Sequence, residues 1–179
     1  MRKVITSTLI SLDGVIGDPH TFASPYFDAE AAKRSLEQLL RSDALLMGRT
    51  TYQGFSKLWP SLSGPYPERV NSMRKYVFSS TLARADWNNT LIVRGDVASE
   101  VEKLKRDGDQ DLIIYGHGQL AQSLLVSGLV DEVHFLLSPV FAGHGQLAFC
   151  EGLNTTLELV SAQALATGAV QLIYRPQRT

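Results

Sequence analysis

Two glycine-bearing segments carry the residues best suited to chemistry. In the first, the apolar run Leu112-Ile113-Ile114-Tyr115 leads into Gly116-His117-Gly118, and an apolar-periodic stretch with Leu120, Leu124 and Leu125 follows. A strand, a glycine turn and a helix start together present bare backbone N–H groups to an anion. Glycine tolerates positive φ and lets a ligand approach the backbone closely. A glycine needed only to leave the strand gives the same pattern. In the second segment, Ala44-Leu45-Leu46-Met47 leads into Gly48-Arg49-Thr50-Thr51-Tyr52. Arg49 is a permanently charged fork suited to phosphate. Thr50 and Thr51 can cap a helix or bond a phosphate oxygen. A surface arginine beside a helix cap is the plainer reading. Two such turns in one small chain point to an extended ligand with several phosphates, and a dinucleotide fits.

Other residues carry weaker signals. Asp13, just past the first apolar run, stands where ligands meet open α/β sheets. Asp13-Gly14 is equally a turn dipeptide. Asp28 and Glu30 fall at a helix start, where carboxylates serve the helix dipole. Tyr52 and Trp59 suit the walls of a substrate pocket and suit a core equally well. Ser79-Ser80-Thr81 forms a polar turn after an apolar run. His20, His117, His134 and His144 lack the spacing of a metal site. Asp131-Glu132 reads as a structural pair at a strand start. Lys103, Lys105 and Arg106 read as a solvated helix face.

The elements that must position these residues follow from periodicity. Strands are predicted at Val4 to Ile10, Ala44 to Gly48, Arg74 to Phe78, Thr90 to Val93, Leu112 to Tyr115 and Val133 to Leu137. Helices are predicted at Asp28 to Arg41, Thr51 to Phe55, Val97 to Arg106 and Gln119 to Ser127, with a helical turn at Glu68 to Met73. Asp13 through His20 and the proline-rich Trp59 to Pro67 read as loops. Thr156 to Ala166 and Ala169 to Arg175 form a hairpin turning at Thr167-Gly168. Strands alternating with helices and then a terminal hairpin imply a mainly parallel sheet with an antiparallel edge.

Bulk properties exclude several classes. The chain has 179 residues, the size of one domain with a sizeable core. A net charge of −1 gives no electrostatic case for nucleic acid or an anionic membrane. No apolar run approaches a membrane span, and the N-terminus has no signal-peptide pattern. A single cysteine, Cys150, forms no internal disulfide, and a cytoplasmic setting is expected.

The ordered pieces resemble the dihydrofolate-reductase-like superfamily, in the branch around the C-terminal reductase domain of the bacterial riboflavin-biosynthesis enzyme. They are Ser11-Leu12-Asp13-Gly14, Leu46-Met47-Gly48-Arg49-Thr50-Thr51-Tyr52, Val77-Phe78-Ser79-Ser80-Thr81-Leu82 and Tyr115-Gly116-His117-Gly118-Gln119-Leu120. Gly128-Leu129-Val130-Asp131-Glu132, Ser138-Pro139-Val140, Gly143-His144-Gly145 and Phe149 complete the set. The resemblance implies one three-layer α/β domain over residues 1–179, with a mixed, mostly parallel sheet. It implies an NADPH-dependent reductase acting on a small heterocyclic or sugar-derived C=N or C=O group, like a 5-amino-6-(5-phosphoribosylamino)uracil reductase. Dihydrofolate or pterin reduction, and NADP(H) binding without catalysis, are the alternatives.

On this resemblance Gly48, Arg49, Thr50, Ser79, Ser80 and Thr81 hold the nucleotide phosphates. Gly116, His117, Gly118, Gln119 and Leu120 hold the pyrophosphate and nicotinamide side. Asp13 is the catalytic candidate, and Tyr52 and Trp59 are the substrate candidates. A homodimer is expected, paired through Val133 to Leu137 and the final hairpin. Two departures stand out. Relatives carry glycine or serine where His117 stands, and Phe22-Ala23-Ser24-Pro25-Tyr26-Phe27 replaces the helix entry of folate reductases.

Overall fold

The computed structural model describes residues 1–149 and 151–177. Its strands are β1 (Val4–Ser11), β2 (Ser42–Gly48), β3 (Arg74–Phe78), β4 (Thr90–Val93), β5 (Asp111–Tyr115), β6 (Glu132–Ser138), β7 (Leu157–Ala164) and β8 (Val170–Pro176). The helices are α1 (Ala29–Leu40), α2 (Arg49–Leu58), α3 (Pro65–Ser72), α4 (Val97–Arg106) and α5 (Gln119–Val126). All the strands join one sheet in the order β4-β3-β2-β5-β1-β6-β8-β7. β4 through β6 run parallel, and β8 returns antiparallel on β6 with β7 at the edge. The expected hairpin is therefore present, and Gly168 turns it at φ +86°.

Alternation along the strands sends successive side chains to opposite faces. Leu45 and Met47 of β2, Val77 of β3 and Ile113 of β5 pack with Leu39 of α1, Tyr52 of α2 and Val70 of α3. Val4, Leu46, Tyr76, Leu112, Ile114 and Val133 pack on the other face with Val101 of α4 and Leu124 of α5. This split follows from handedness. Connections between parallel strands are right-handed, so those running toward β4 carry helices on one face and those running toward β6 on the other. The chain leaves β1 and β2 toward the α1–α3 face. It leaves β5, which lies between them, toward the α5 face. Such a reversal opens a crevice beyond the carboxyl ends of these strands.

Two boundaries differ from expectation. α2 begins at Arg49 and runs to Leu58, longer than the predicted Thr51 to Phe55. Gly48, in extended geometry, takes its N-cap position. Part of the predicted Trp59 to Pro67 loop is helical, because Gly64 at φ +112° sets Pro65 at the first position of α3. Among the described residues, no helix is long and apolar enough to cross a membrane.

Candidate active site

The crevice is floored by the two glycine turns. β2 and β5 pair as far as Leu45 and Ile113, and three residues beyond that pair stand Gly48 and Gly116. Gly116 adopts φ +86°, which requires glycine, and its N–H donates to Ser7 O at 2.9 Å. A Cβ at Gly48 or Gly116 meets nothing within 4 Å, so open space lies above both turns. Gly48 is the N-cap of α2 and Gly118 that of α5, and neither helix has a side-chain cap. The contrast with α1 and α4 is direct. Asp28 accepts from Ala31 N, and Asp96 from Ser99 N, each at 2.9 Å. Only water or a ligand can satisfy the free N–H groups at the starts of α2 and α5. Thr50 and Gln119 lie exposed in those first turns, and Leu120 is half-buried against the α5-face core.

A cationic corner adjoins the β2 turn. Arg49 donates to Thr81 Oγ1 at 2.8 Å. Ser79 Oγ accepts from Thr81 N at 3.3 Å and Leu82 N at 3.0 Å, which closes the Ser79-Ser80-Thr81 turn. Arg94, at the end of β4, donates to the carbonyls of Ser79, Ser80 and Leu82 at 3.3, 2.8 and 2.8 Å. Among the described residues neither arginine has a carboxylate partner. The sequence pointed to Arg49 and missed Arg94, although it too is an arginine directly after an apolar strand.

Asp13 turns its carboxylate onto the neighbouring loop. Ser11 Oγ donates to Oδ1 at 2.5 Å, Ala142 N to Oδ1 at 2.9 Å and Gly143 N to Oδ2 at 2.7 Å. The Ser11 hydroxyl first, and then the two backbone N–H groups, draw Asp13 down to about 2. It is an anion and a hydrogen-bond acceptor at any ordinary pH. The same two loops join at Val15 and Leu147 and through Ile16 N to Gln146 O at 2.8 Å. Gly145 sits where a Cβ would lie 2.6 Å from Val15 Cγ1. The Gly143-His144-Gly145 turn is thus a close-packed structural joint.

The imidazole of His117 does not line the crevice. It is 1% exposed and packs on the α5 face, with ring centroids 5.9 Å from Phe135 and 6.5 Å from Phe149. Burial lowers its pKa, so the ring is neutral, and Nδ1 has no partner. This residue has only its backbone to offer a ligand.

Tyr52 also faces inward. It is 5% exposed, and its hydroxyl accepts from Asp86 N at 2.9 Å and Trp87 N at 3.3 Å. A cavity of about 560 Å³ borders it, lined by Ser56, Pro60, Asn71, Arg84 and Asp86 rather than by either glycine turn. Tyr52 is thus a mostly buried residue that borders this cavity and whose hydroxyl anchors the 85–87 segment. Trp59 is half-buried, and its Nε1–H is buried without an acceptor.

Trp59 belongs to a cluster the sequence did not show. Its ring lies 5.8 Å from Phe55 and 5.6 Å from Tyr66, and Phe55 lies 6.1 Å from Tyr115. The hydroxyls of Tyr66 and Tyr115 are 2.6 Å apart, and Ser35 Oγ donates to Tyr66 at 3.2 Å. α1, α3 and β5 supply these groups from positions far apart in sequence, so no local spacing marks them. At the start of α1, Asp28 caps the helix and Glu30 pairs with Arg34 at 2.6 Å.

The RibD C-terminal domain family model matches residues 2–171. The uncharacterized protein YyaP of Bacillus subtilis (strain 168) is 27% identical over 97% of this chain and 94% of its own length. A putative riboflavin biosynthesis protein from Shewanella sp. PV-4 superposes with a TM-score of 0.76 at 22% identity, covering 98% of this chain and 99% of that one. A deaminase/5-amino-6-(5-phosphoribosylamino)uracil reductase from Thermotoga maritima gives 0.70 at 16% identity, over 98% of this chain and 57% of that one. Dihydrofolate reductase from Enterococcus faecalis, complexed with NADP(H) and RAB-propyl, gives 0.67 at 16% identity, over 98% of this chain and 97% of that one. The fold is that of dihydrofolate reductase, and the chain belongs to the RibD C-terminal domain family.

Proposed function

We propose that this protein is an NADPH-dependent reductase that delivers hydride to a C=N or C=O group of a small heterocyclic or sugar-derived substrate. The carrying observation is the pair of uncapped helix starts at Gly48 and Gly118, beside Arg49, in a crevice with room above its glycines. Helix starts of this kind favour phosphate. Arg49, with Thr81 and the turn that Arg94 clamps, suits the extra phosphate of NADPH. Gly116, Gly118 and Gln119 suit the pyrophosphate side. The bound dinucleotide would supply the hydride; the chain supplies position and electrostatics.

Asp13, fixed as an anion, suits hydrogen bonding to a substrate hydroxyl. Folate reduction fits less well, because Asp28 and Glu30, the carboxylates at the start of α1, are engaged in a cap and an ion pair. The exposed β7 edge, with Leu159 and Val160 about half accessible, suits a second copy of this chain, and light scattering should give a dimer at tens of micromolar. A cytoplasmic setting is part of the same reading.

Titration of tryptophan fluorescence should show NADPH binding well ahead of NADH. Equal affinities refute the phosphate assignment, and binding of neither refutes the reductase.

A further inference from the structure

The crevice lacks an obvious acid. Asp13 is held ionised by three donors, and burial keeps His117 neutral within the α5-face core. What lies beside the glycine turn instead is a chain of hydroxyls. Tyr115 is the last residue of β5, directly before Gly116, and it packs on the α1–α3 face with Phe55. Ser35 donates to Tyr66, and either hydroxyl of the Tyr66–Tyr115 pair can donate to the other. When Tyr66 donates to Tyr115, the hydrogen of Tyr115 is available to a ligand. Next to this pair, the Nε1–H of Trp59 is a buried donor waiting for an oxygen.

We propose that Ser35, Tyr66 and Tyr115 form the proton path of the reductase, with Tyr115 as the group that protonates the substrate. This rests on the reductase reading above. The π bond of the C=N or C=O group breaks. Its carbon takes the hydride, with both electrons, from NADPH, which leaves as NADP⁺. Its nitrogen or oxygen takes the proton of Tyr115. Tyr66 reprotonates the tyrosinate, Ser35 reprotonates Tyr66, and solvent restores Ser35. Burial raises both phenols, Tyr115 well above 10, so both carry their protons throughout the neutral range. Among the described residues, the only ionisable groups acting on these phenols are the phenols themselves. A tyrosine acid of this kind gives a pH-independent reaction step. A carboxylic acid gives one that fails as pH rises.

The test has three readings. The first needs no turnover. In protein labelled with ¹³C at tyrosine Cζ, the Tyr115 resonance, assigned with Tyr115→Phe, should stay at its phenol position through pH 10. Titration of Tyr115 at ordinary tyrosine pH overturns the sheltered path. The second is NADPH affinity by tryptophan fluorescence, which Tyr115→Phe and Tyr66→Phe should leave within twofold. Wild-type protein that binds no NADPH sinks the reductase reading itself.

The third is single-turnover NADPH oxidation with 5-amino-6-(5-phosphoribosylamino)uracil and, separately, dihydrofolate. Tyr115→Phe should slow it on the order of 100-fold or more, the range of a lost general acid, and Tyr66→Phe less. The wild-type rate should be flat from about pH 6 to 9, where a phenol of ordinary or raised pKa stays protonated. Near-wild-type rates in Tyr115→Phe, or a tenfold fall per pH unit, overturn the proposal while the reductase stands. Oxidation with neither compound overturns both.

Discussion

The two edges of the parallel sheet differ in how many of their donors are used. At the amino edge, cations are saturated. Lys75 is 0% exposed, and its Nζ donates to Asn71 O, Met73 O and Asn88 O at 2.8, 2.7 and 3.1 Å. The Trp87 ring lies 4.4 Å from the same ammonium. Arg2 donates to the carbonyls of Gln110, Leu104 and Asp107 and pairs with Asp43. Lys105 is shared between Leu129 O and Asp131. At the carboxyl edge Arg94 is held by three carbonyls as well, but Arg49 makes one hydrogen bond to a threonine, and two helix starts have no cap. Donors that are fully used hold the fold together. Donors left free are available to a ligand.

Mutations should separate the two edges, and the largest effect is expected at Lys75. Lys75→Met keeps the bulk but takes the donor from three carbonyls, one buried and two part-buried, at about 1–3 kcal/mol for each that stays dry. A loss of about 3 kcal/mol or more is expected, roughly 10 °C in Tm for a chain of this size. Arg49→Ala, on an exposed side chain, should change stability by less than about 0.5 kcal/mol. Thermal unfolding followed by circular dichroism checks both. Similar losses would break the comparison.

The same lysine predicts a pH dependence. Burial pulls Lys75 to about 8, below the 10.5 of an exposed lysine. Between these values the unfolded chain holds the proton and the folded chain releases it. Wild-type stability should therefore gain from this group as pH rises from 8 toward 10.5. The carbonyls, which favour the charged form, reduce the gain. Denaturant titrations at both ends of the window, repeated with Lys75→Met, isolate it.

Next in size is ligand binding. Arg49→Ala should weaken NADPH by roughly 10- to 100-fold, the loss of one charge-assisted bond of about 1.5–3 kcal/mol. NADH should change little. Equal losses for both would remove Arg49 from the extra phosphate.

The smallest effect sharpens the contrast within the crevice. Gly116→Ala forces a Cβ into φ +86° and should cost about 1–2 kcal/mol of stability. Gly48 has φ −81°, so Gly48→Ala should fold normally and lose affinity only through the methyl in the open space. Unfolding and NADPH titration of the pair should show the stability loss at Gly116 alone.

Much of this was legible in the sequence. The glycine turns, Arg49, the parallel core and the hairpin come from local patterns of apolar runs and turn residues. The fate of each polar side chain was not. His117 sits in a glycine turn yet points into the α5-face core. The chain position of Tyr52 suits a pocket wall, while its hydroxyl holds the 85–87 backbone. Ser35, Tyr66 and Tyr115 meet only because α1, α3 and β5 converge on one face. Spacing along the chain reports which residues share an element, and it does not report which elements share a neighbour.

The seam between the loops after β1 and β6 bears on how a ligand would be received. Without cross-ties, residues 12–28 and 139–149 would each be a long flexible excursion, and a ligand would have to order both. Asp13 on Ala142 and Gly143, together with Val15 against Leu147, pins them to each other near their roots. Pinning shortens the free segments and lowers the closure entropy still to be lost. This wall of the crevice is set when the chain folds, so a ligand arriving there gives up little of its binding energy to organise it.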